Sequence, residues 1–466
     1  MAASRCDAFR RRGWLTISPF PAPNFFKTPM PQNHLPKVKS QYEAMPYPPC
    51  NPQDDKMRLA MTWLEDLPMI NHYCFAGKQS FQRGFRALVA GGGTGDATIF
   101  LAEQLRGTDA EIVHLDMSHA SILLAQERAK IRGLTNITWV HYSLLSLPAL
   151  GLGKFDYINC SGVLHHLADP DLGLRVLLSA LKEGGAIGLM VYGTTGRTGV
   201  YQMQALMRMV NHSSTGQEAG DPRKIANTRD LLGSLPASNW FMASELLFND
   251  HKMGDAGIYD LLLHSQDRAY SVGELFDWLG DRHGRHLAFS DVQRGRAPYL
   301  PHMVLGGKPP AMATELRQLP LRRQYEMAEL MIGNIITHSL YLLPSAACTA
   351  PYGDAAYIPF FYHEPLTGDV AAQVFGASKG QPFRLTHQHS GVSLMVNPGR
   401  YGAKILGLID GRKSFAEIFD AFRAGWQGQA AAPDNAALFA DFAESYDTLN
   451  ALERLLLRHP DATSSV

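Results

Sequence analysis

Net charge is what this 466-residue chain most plainly lacks: 43 Lys and Arg stand against 43 Asp and Glu. No global field therefore draws it to nucleic acid or to an anionic membrane. Cysteine is sparse too. Cys6, Cys50, Cys74, Cys160 and Cys348 are scattered, odd in number and without CxxC spacing. That argues against a disulfide framework and a cysteine-rich zinc site, and suits a reducing compartment. No apolar run approaches a membrane span. The first 14 residues, MAASRCDAFRRRGW, contain four arginines but no apolar core. A secretory leader is not expected, so the chain reads as cytoplasmic, with an organelle transit peptide left open. No resident metal is expected. The pairs His363-Glu364 and His387-x-His389 have no third ligand at telling spacing, and loop histidines are the plainer reading.

What is present is length, glycine and proline. A chain this long holds two or three domains. Prolines crowd residues 17–52 too densely for regular structure, and residues 1–40 read as a disordered tail. A helical stretch is expected from about Asp54 to Leu67. The sharpest local signal is FRALVAGGGTGDATIFL, Phe85 to Leu101. A short apolar run, Ala87 to Ala90, has the length of one buried parallel strand. Gly91, Gly92, Gly93 and Gly95 follow, and then a helical pattern. Strand, glycine turn and helix let a ligand approach bare backbone amides at a helix N-terminus. A tight turn in some other α/β fold is the plainer alternative.

The strands that follow argue against that alternative. Glu111 to Asp116 ends on a carboxylate, as two vicinal ribose hydroxyls require. Met117 and Ser118 follow at the turn, where Ser118 can cap a helix that runs to Gly133. Ile137–His141, Phe155–Cys160 and Ala186–Tyr192 read as further strands, each separated by a helix or turn. Five strands alternating with helices predict an α/β fold with a doubly wound, Rossmann-like, mostly parallel sheet.

The spacing Gly91-x-Gly93-x-Gly95 departs from the dinucleotide fingerprint, because Asp96 stands where its third glycine would be. It resembles the first motif of class I S-adenosylmethionine (SAM) methyltransferases. FDYI…VLHHLADP, from Phe155 to Pro170, resembles their fourth-strand region. QYEAMPYPP, Gln41 to Pro49, resembles a segment before the core in a bacterial-type group of that family, some fused to tetratricopeptide repeats. The resemblance implies SAM as cofactor, held by Gly91, Gly93, Gly95 and Asp116. Met117 and Ser161 would line the pocket, and Tyr42 and Tyr47 would either close it or simply pack the tail onto the domain. His166, with His165 beside it, is the candidate for a polar role next to the methyl group; a packing histidine is the alternative. Ser143 stands where the family often has an acid for the adenine amino group. Val89 stands where many members have an acid that helps hold the methionine end.

These readings give a methyltransferase domain at 41–308, with core 85–192 and a helical lid or substrate region at about 197–280. Met203, Leu206, Met207 and Val210 would share one face of that region. Ser271-x-x-Glu274 reads as a capping box. HLAFSDV (286–292) and HMVLGG (302–307) read as strands completing the sheet. Residues 309–466 form an expected α+β accessory domain, with a stretch similar to winged-helix modules at 400–458. The expected acceptor is a small molecule or a protein. Neutral charge and the absence of an Asn/Asp-Pro-Pro-Tyr motif disfavour nucleic acid. A non-catalytic binding protein acting through its C-terminal domain and a nicotinamide-dependent oxidoreductase are the alternative functions.

Overall fold

The computed structural model describes residues 36–212, 221–291, 294–306, 310–362, 367–386, 393–428 and 431–462. His363-Glu364 and His387-x-His389 lie outside these, as does the proline-rich tail up to residue 35. Described residues of the tail begin with a helix. Pro36 starts α1 (Pro36–Ala44). A proline is tolerated in the first turn, and the next one, Pro46, comes only after the helix ends.

The expected helix at 54–67 is not formed. Asn51 caps a short 3-10 turn at Pro52–Lys56, and the next helix, α2 (Leu67–Cys74), begins where that stretch was to end. Pro68, in its first turn, favours a start rather than a stop there.

The core follows the expected alternation: β1 (Arg86–Ala90), α3 (Asp96–Gln104), β2 (Glu111–Asp116), α4 (His119–Arg132), β3 (Ile137–His141), β4 (Phe155–Ser161), α5 (Pro170–Ser179) and β5 (Leu181–Gly193). These five strands pair in parallel. Their apolar runs divide between two faces. Leu88 and Ala90 pack with Val113, Leu115 and Leu174, whereas Ala87 and Val89 pack with Ile112, Leu101 and Ile70. Strands covered on both faces need such continuous runs.

Beyond β5 come helices α6 (Thr198–Val210), α7 (Pro222–Leu232), α8 (Trp240–Ser244) and α9 (Asp255–Leu262), then short β6 (Ala269–Tyr270) and β7 (His286–Ser290). Met203 and Met207 are buried on α6, but Val210 is 43% exposed. The capping box at Ser271 and Glu274 is formed.

With β8 at Thr337–Leu343, the sheet order is β3-β2-β1-β4-β5-β8-β7, and β6 lies beside β5. Its last inserted strand is β8, antiparallel to both β5 and β7. Among the described residues 302–306 of HMVLGG there is no strand, because Pro301 begins a helix at Pro301–Val304. The sheet therefore continues past residue 309, the expected domain boundary. The described residues form one compact unit, and a single apolar cluster runs from Leu88 to Leu457.

The C-terminal region adds β9 (Ile358–Phe361), a hairpin of β10 (Phe383–Thr386) and β11 (Ser393–Val396), and β12 (Leu455–Arg458), which pairs with β9. Three helices at Gly402–Leu408, Phe415–Ala424 and Asn435–Ala451 precede β12. Among the described residues, the third is followed by β12, which returns to β9. No helix among the described residues is long and apolar enough to cross a membrane.

Candidate functional site

Two sets of side chains meet at the carboxyl ends of the parallel strands, where a doubly wound sheet opens its crevice. The first surrounds the glycine turn. Gly91, Gly93 and Gly95 have φ of +79°, +51° and +101°, which L side chains rarely adopt. Space is equally short: a Cβ on Gly91 would lie 2.3 Å from Val163 Cγ2, and one on Gly93 would lie 2.8 Å from the Tyr47 carbonyl. Asp96, which displaces the fingerprint's third glycine, accepts from Arg128 at 2.6 Å. Arg128 also donates to the Thr94 carbonyl at 2.9 Å and to Asp55 at 2.6 Å. A buried arginine thus braces the turn from α4.

Asp116 lies beside that turn. Its two oxygens accept from the Gly93 amide at 2.8 Å and the Ser118 amide at 2.7 Å. Burial pushes its pKa up, while those amides pull it down. Each oxygen keeps a further lone pair for a diol. Ser118 caps α4 and donates to the Tyr42 carbonyl at 3.0 Å. Glu43 accepts from the His119 and Ala120 amides, and Thr94 donates to the Pro48 carbonyl at 2.8 Å. The segment from Tyr42 to Pro48 is therefore tied across the turn by side chains on both sides of it. Met117 is half-buried, its carbonyl accepting from His141 at 3.1 Å. Ser143 accepts from the Leu145 amide at 3.3 Å and caps the 3-10 turn Leu144–Ala149.

Val89 is apolar and 1% exposed, but an acid stands near it. Asn159 is its register partner on β4 and donates both to Glu65 and, at 3.2 Å, to Ser161. Glu65 is 2% exposed, and burial raises its pKa to about 7. Sequence reasoning missed Glu65 because it lies outside the motif, in the loop before α2.

The second set is larger and comes from distant parts of the chain. His165 and His166 are both buried. His166 Nδ1 lies 2.9 Å from the Gln266 carbonyl, which can only accept, so Nδ1 carries the proton. Burial pushes the His166 pKa down to about 4 and that of His165 below its ordinary range. In neutral His166, Nε2 is then an acceptor, and His165 Nε2, 3.1 Å away, donates to it. The remaining nitrogen, His165 Nδ1, has a lone pair and no partner.

His264 Nδ1 accepts from the Gln266 amide at 3.1 Å, leaving its Nε2–H facing the Tyr42 hydroxyl at 3.3 Å. Tyr42 in turn donates to Asp260 at 3.0 Å. Asp260 is 4% exposed, and burial raises its pKa to about 7. The Tyr47 hydroxyl donates to Asp250. Tyr192 stacks on His165 with ring centroids 3.8 Å apart, and the Arg197 guanidinium lies 3.6 Å from the Tyr192 centroid.

Asp260, His264, Tyr192 and Arg197 were not singled out in the sequence. The one available hint was Asp260 and His264 four apart, which puts them on one side of a helical turn. Among the described residues, no group of three His, Cys, Asp or Glu is arranged to hold a metal.

Residues 88–187 match the family model described as a methyltransferase domain. An uncharacterised protein of Synechococcus is 32% identical over 325 residues, 68% of this chain and 73% of that one. A demethylmenaquinone methyltransferase of Anoxybacillus flavithermus is 33% identical over 110 residues, 24% of this chain and 46% of that enzyme. The chain thus spans about half the length of that named methyltransferase. Among solved structures, PKMT2 from Rickettsia typhi in complex with AdoHcy superposes with a TM-score of 0.54 at 14% identity, covering 86% of this chain and 77% of that one. At that identity the likeness shows the fold.

Proposed function

The chain belongs to the class I SAM-dependent methyltransferases, and we propose that it methylates a small molecule at an ionisable oxygen, nitrogen or sulfur. The cofactor fits the residues present. The glycine turn leaves no room for a Cβ beside Val163 or Tyr47, and Asp116 keeps lone pairs for the ribose. We assign the amino-acid end of SAM to the turn and to Glu65, which would replace the acid missing at Val89. Met117 and Ser143 would flank the adenine, and Ser161 would face the reacting end.

When bound, SAM supplies an electrophilic methyl on a sulfonium. The protein's task is then to align the acceptor, exclude water and take up a proton. The observation that carries the proposal is the unpartnered lone pair of His165 Nδ1, fully buried. His166 positions it, holding the opposite nitrogen as a donor. The pair is neutral at physiological pH, as a proton acceptor must be. Tyr42 and Tyr47, tied to Asp260 and Asp250, close the site from the N-terminal segment.

Enclosure favours a small acceptor over a folded protein: His165, His166, Arg197 and Asp260 are each less than 7% exposed. The Anoxybacillus relative, named for methylation of demethylmenaquinone, is consistent with this.

The test uses methyl-labelled SAM with the low-molecular-weight and protein fractions of a cell extract, incubated separately. Label should appear in the small-molecule fraction and be lost with His165→Ala. Label confined to protein would overturn the small-molecule reading. Failure to bind either SAM or S-adenosylhomocysteine in calorimetry would overturn the enzymatic one and favour the binding-protein alternative.

A further inference from the structure

Arg197 is a buried cation near the histidine pair, and two of its nitrogens donate no hydrogen bond. The residue precedes α6 and is 4% exposed. Neither Nε nor Nη2 has a hydrogen-bond partner. Those two N–H groups point to the same side of a guanidinium and form the side-on fork that takes a carboxylate in bidentate fashion. The groups around it do not fill that fork. Asp267 Oδ2 is 3.8 Å from Nη2 and accepts instead from Gln204 at 3.1 Å. The Tyr201 hydroxyl lies close enough to interact with the guanidinium, but it makes no hydrogen bond of good geometry to Nε or Nη2. Asp260 Oδ1 accepts from Tyr42, and Asp260 acts on Arg197 through charge alone. Tyr192 offers the cation only its π face.

Leaving a buried charged donor unmatched is costly, and buried charges are ordinarily paired. Asp267 at 3.8 Å offsets the charge, so what a ligand adds is the hydrogen bonds that Nε and Nη2 lack. The fork belongs to the acceptor side of the crevice, since Tyr192 joins it to His165, while the glycine turn lies across β4 from β5.

We propose that Arg197 is the anion-binding residue of the acceptor site, taking a carboxylate of a small organic acid side-on through Nε and Nη2. This rests on the methyltransferase reading for its role but not for its test. The aromatic and imidazole rings of Tyr192, His165 and His166 suit a flat or apolar body behind that carboxylate. The carboxylate anchors the acceptor; the atom methylated is the one brought to His165.

Benzoate and succinate serve as probes, with benzamide and succinamide as their neutral counterparts. Each is titrated calorimetrically into the full-length protein, both free and loaded with S-adenosylhomocysteine. At least one acid should bind and its amide should not. Arg197→Met should weaken the acid about tenfold or more while holding S-adenosylhomocysteine affinity within about twofold. Arg197→Lys keeps the charge but not the fork and should show the same loss, so the test survives if the methionine variant does not fold. Equal binding of acid and amide, binding of neither acid, or wild-type acid affinity in Arg197→Lys would each overturn the proposal. Acid binding without any S-adenosylhomocysteine binding would support the anion site while overturning the methyltransferase reading, so the two failures are separable.

Discussion

The two halves of the crevice are built on opposite plans. On the cofactor side, the polar groups named above are satisfied, some by near neighbours and some by distant segments. Asp116 is bonded to Gly93 and Ser118, and Ser118 and Ser143 cap the turns that follow them. On the acceptor side, Tyr42, His165, Tyr192, Arg197, Asp260 and His264 converge from widely separated segments, and His165 Nδ1 and Arg197 Nε and Nη2 make no hydrogen bond. Satisfied local networks rigidify a site before its ligand arrives, whereas unsatisfied buried donors and acceptors wait for one. One half is a preformed cradle, and the other is completed by what it binds.

Substitutions can break that contrast. The largest effect is expected for His165→Ala: methyl transfer should fall about 10²- to 10⁴-fold, as for loss of a general base, with SAM affinity nearly unchanged. Initial rates on the labelled acceptor, alongside calorimetry, check this; a matching loss of SAM affinity would make His165 part of the cradle instead. On the cofactor side, Asp116→Ala should cost about 1.5–3 kcal/mol of SAM binding, seen as a rise in Kd of about ten- to a hundredfold. Glu65→Gln should also weaken SAM, by a smaller factor, without lowering the melting temperature of the free protein. A drop in that temperature would make Glu65 a structural partner of Asn159 only.

A pH titration sharpens the comparison. Burial raises the Asp260 pKa from the ordinary 3.8 to about 7. A carboxyl that binds its proton more tightly when folded adds stability at low pH, which is lost as pH rises through the folded value. Between 3.8 and about 7, the unfolding free energy of the wild type should therefore fall with rising pH. Asp260→Asn should flatten part of that slope in urea titrations. The remainder belongs to other buried carboxyls, among them Glu65 and Glu453, raised to about 7, and Asp66, raised to about 6. The smallest effect is that of Ser143→Ala, which removes a cap worth about 0.5–2 kcal/mol in other helices and should lower stability slightly.

The same contrast governs what was legible beforehand. The glycine turn, Asp116 at a strand end and the capping serine at 118 lie in one stretch and obey local rules, so they read directly. The histidine pair was visible as a motif, but which nitrogen is free depends on Gln266, a hundred residues on. Strand β8 was missed because nothing local tells a strand of the main sheet from one of a separate domain. Its partners β5 and β7 lie far upstream. HMVLGG misled because its composition suits a strand, while Pro301 before it starts a helix.

The sequence by itself determined the alternating α/β core, its ligand-binding turn and the carboxylate at the end of the second strand. Each rests on backbone conformation and on residues within a few positions of one another. Only the tertiary structure decided that the chain beyond 309 completes the sheet and shares its core. It alone set Glu65 beside Val89's partner, left His165 Nδ1 free and buried Arg197 with an empty fork. Those properties depend on what surrounds a group after folding, since burial sets the cost of an unpaired charge and long-range packing sets which partners are within reach.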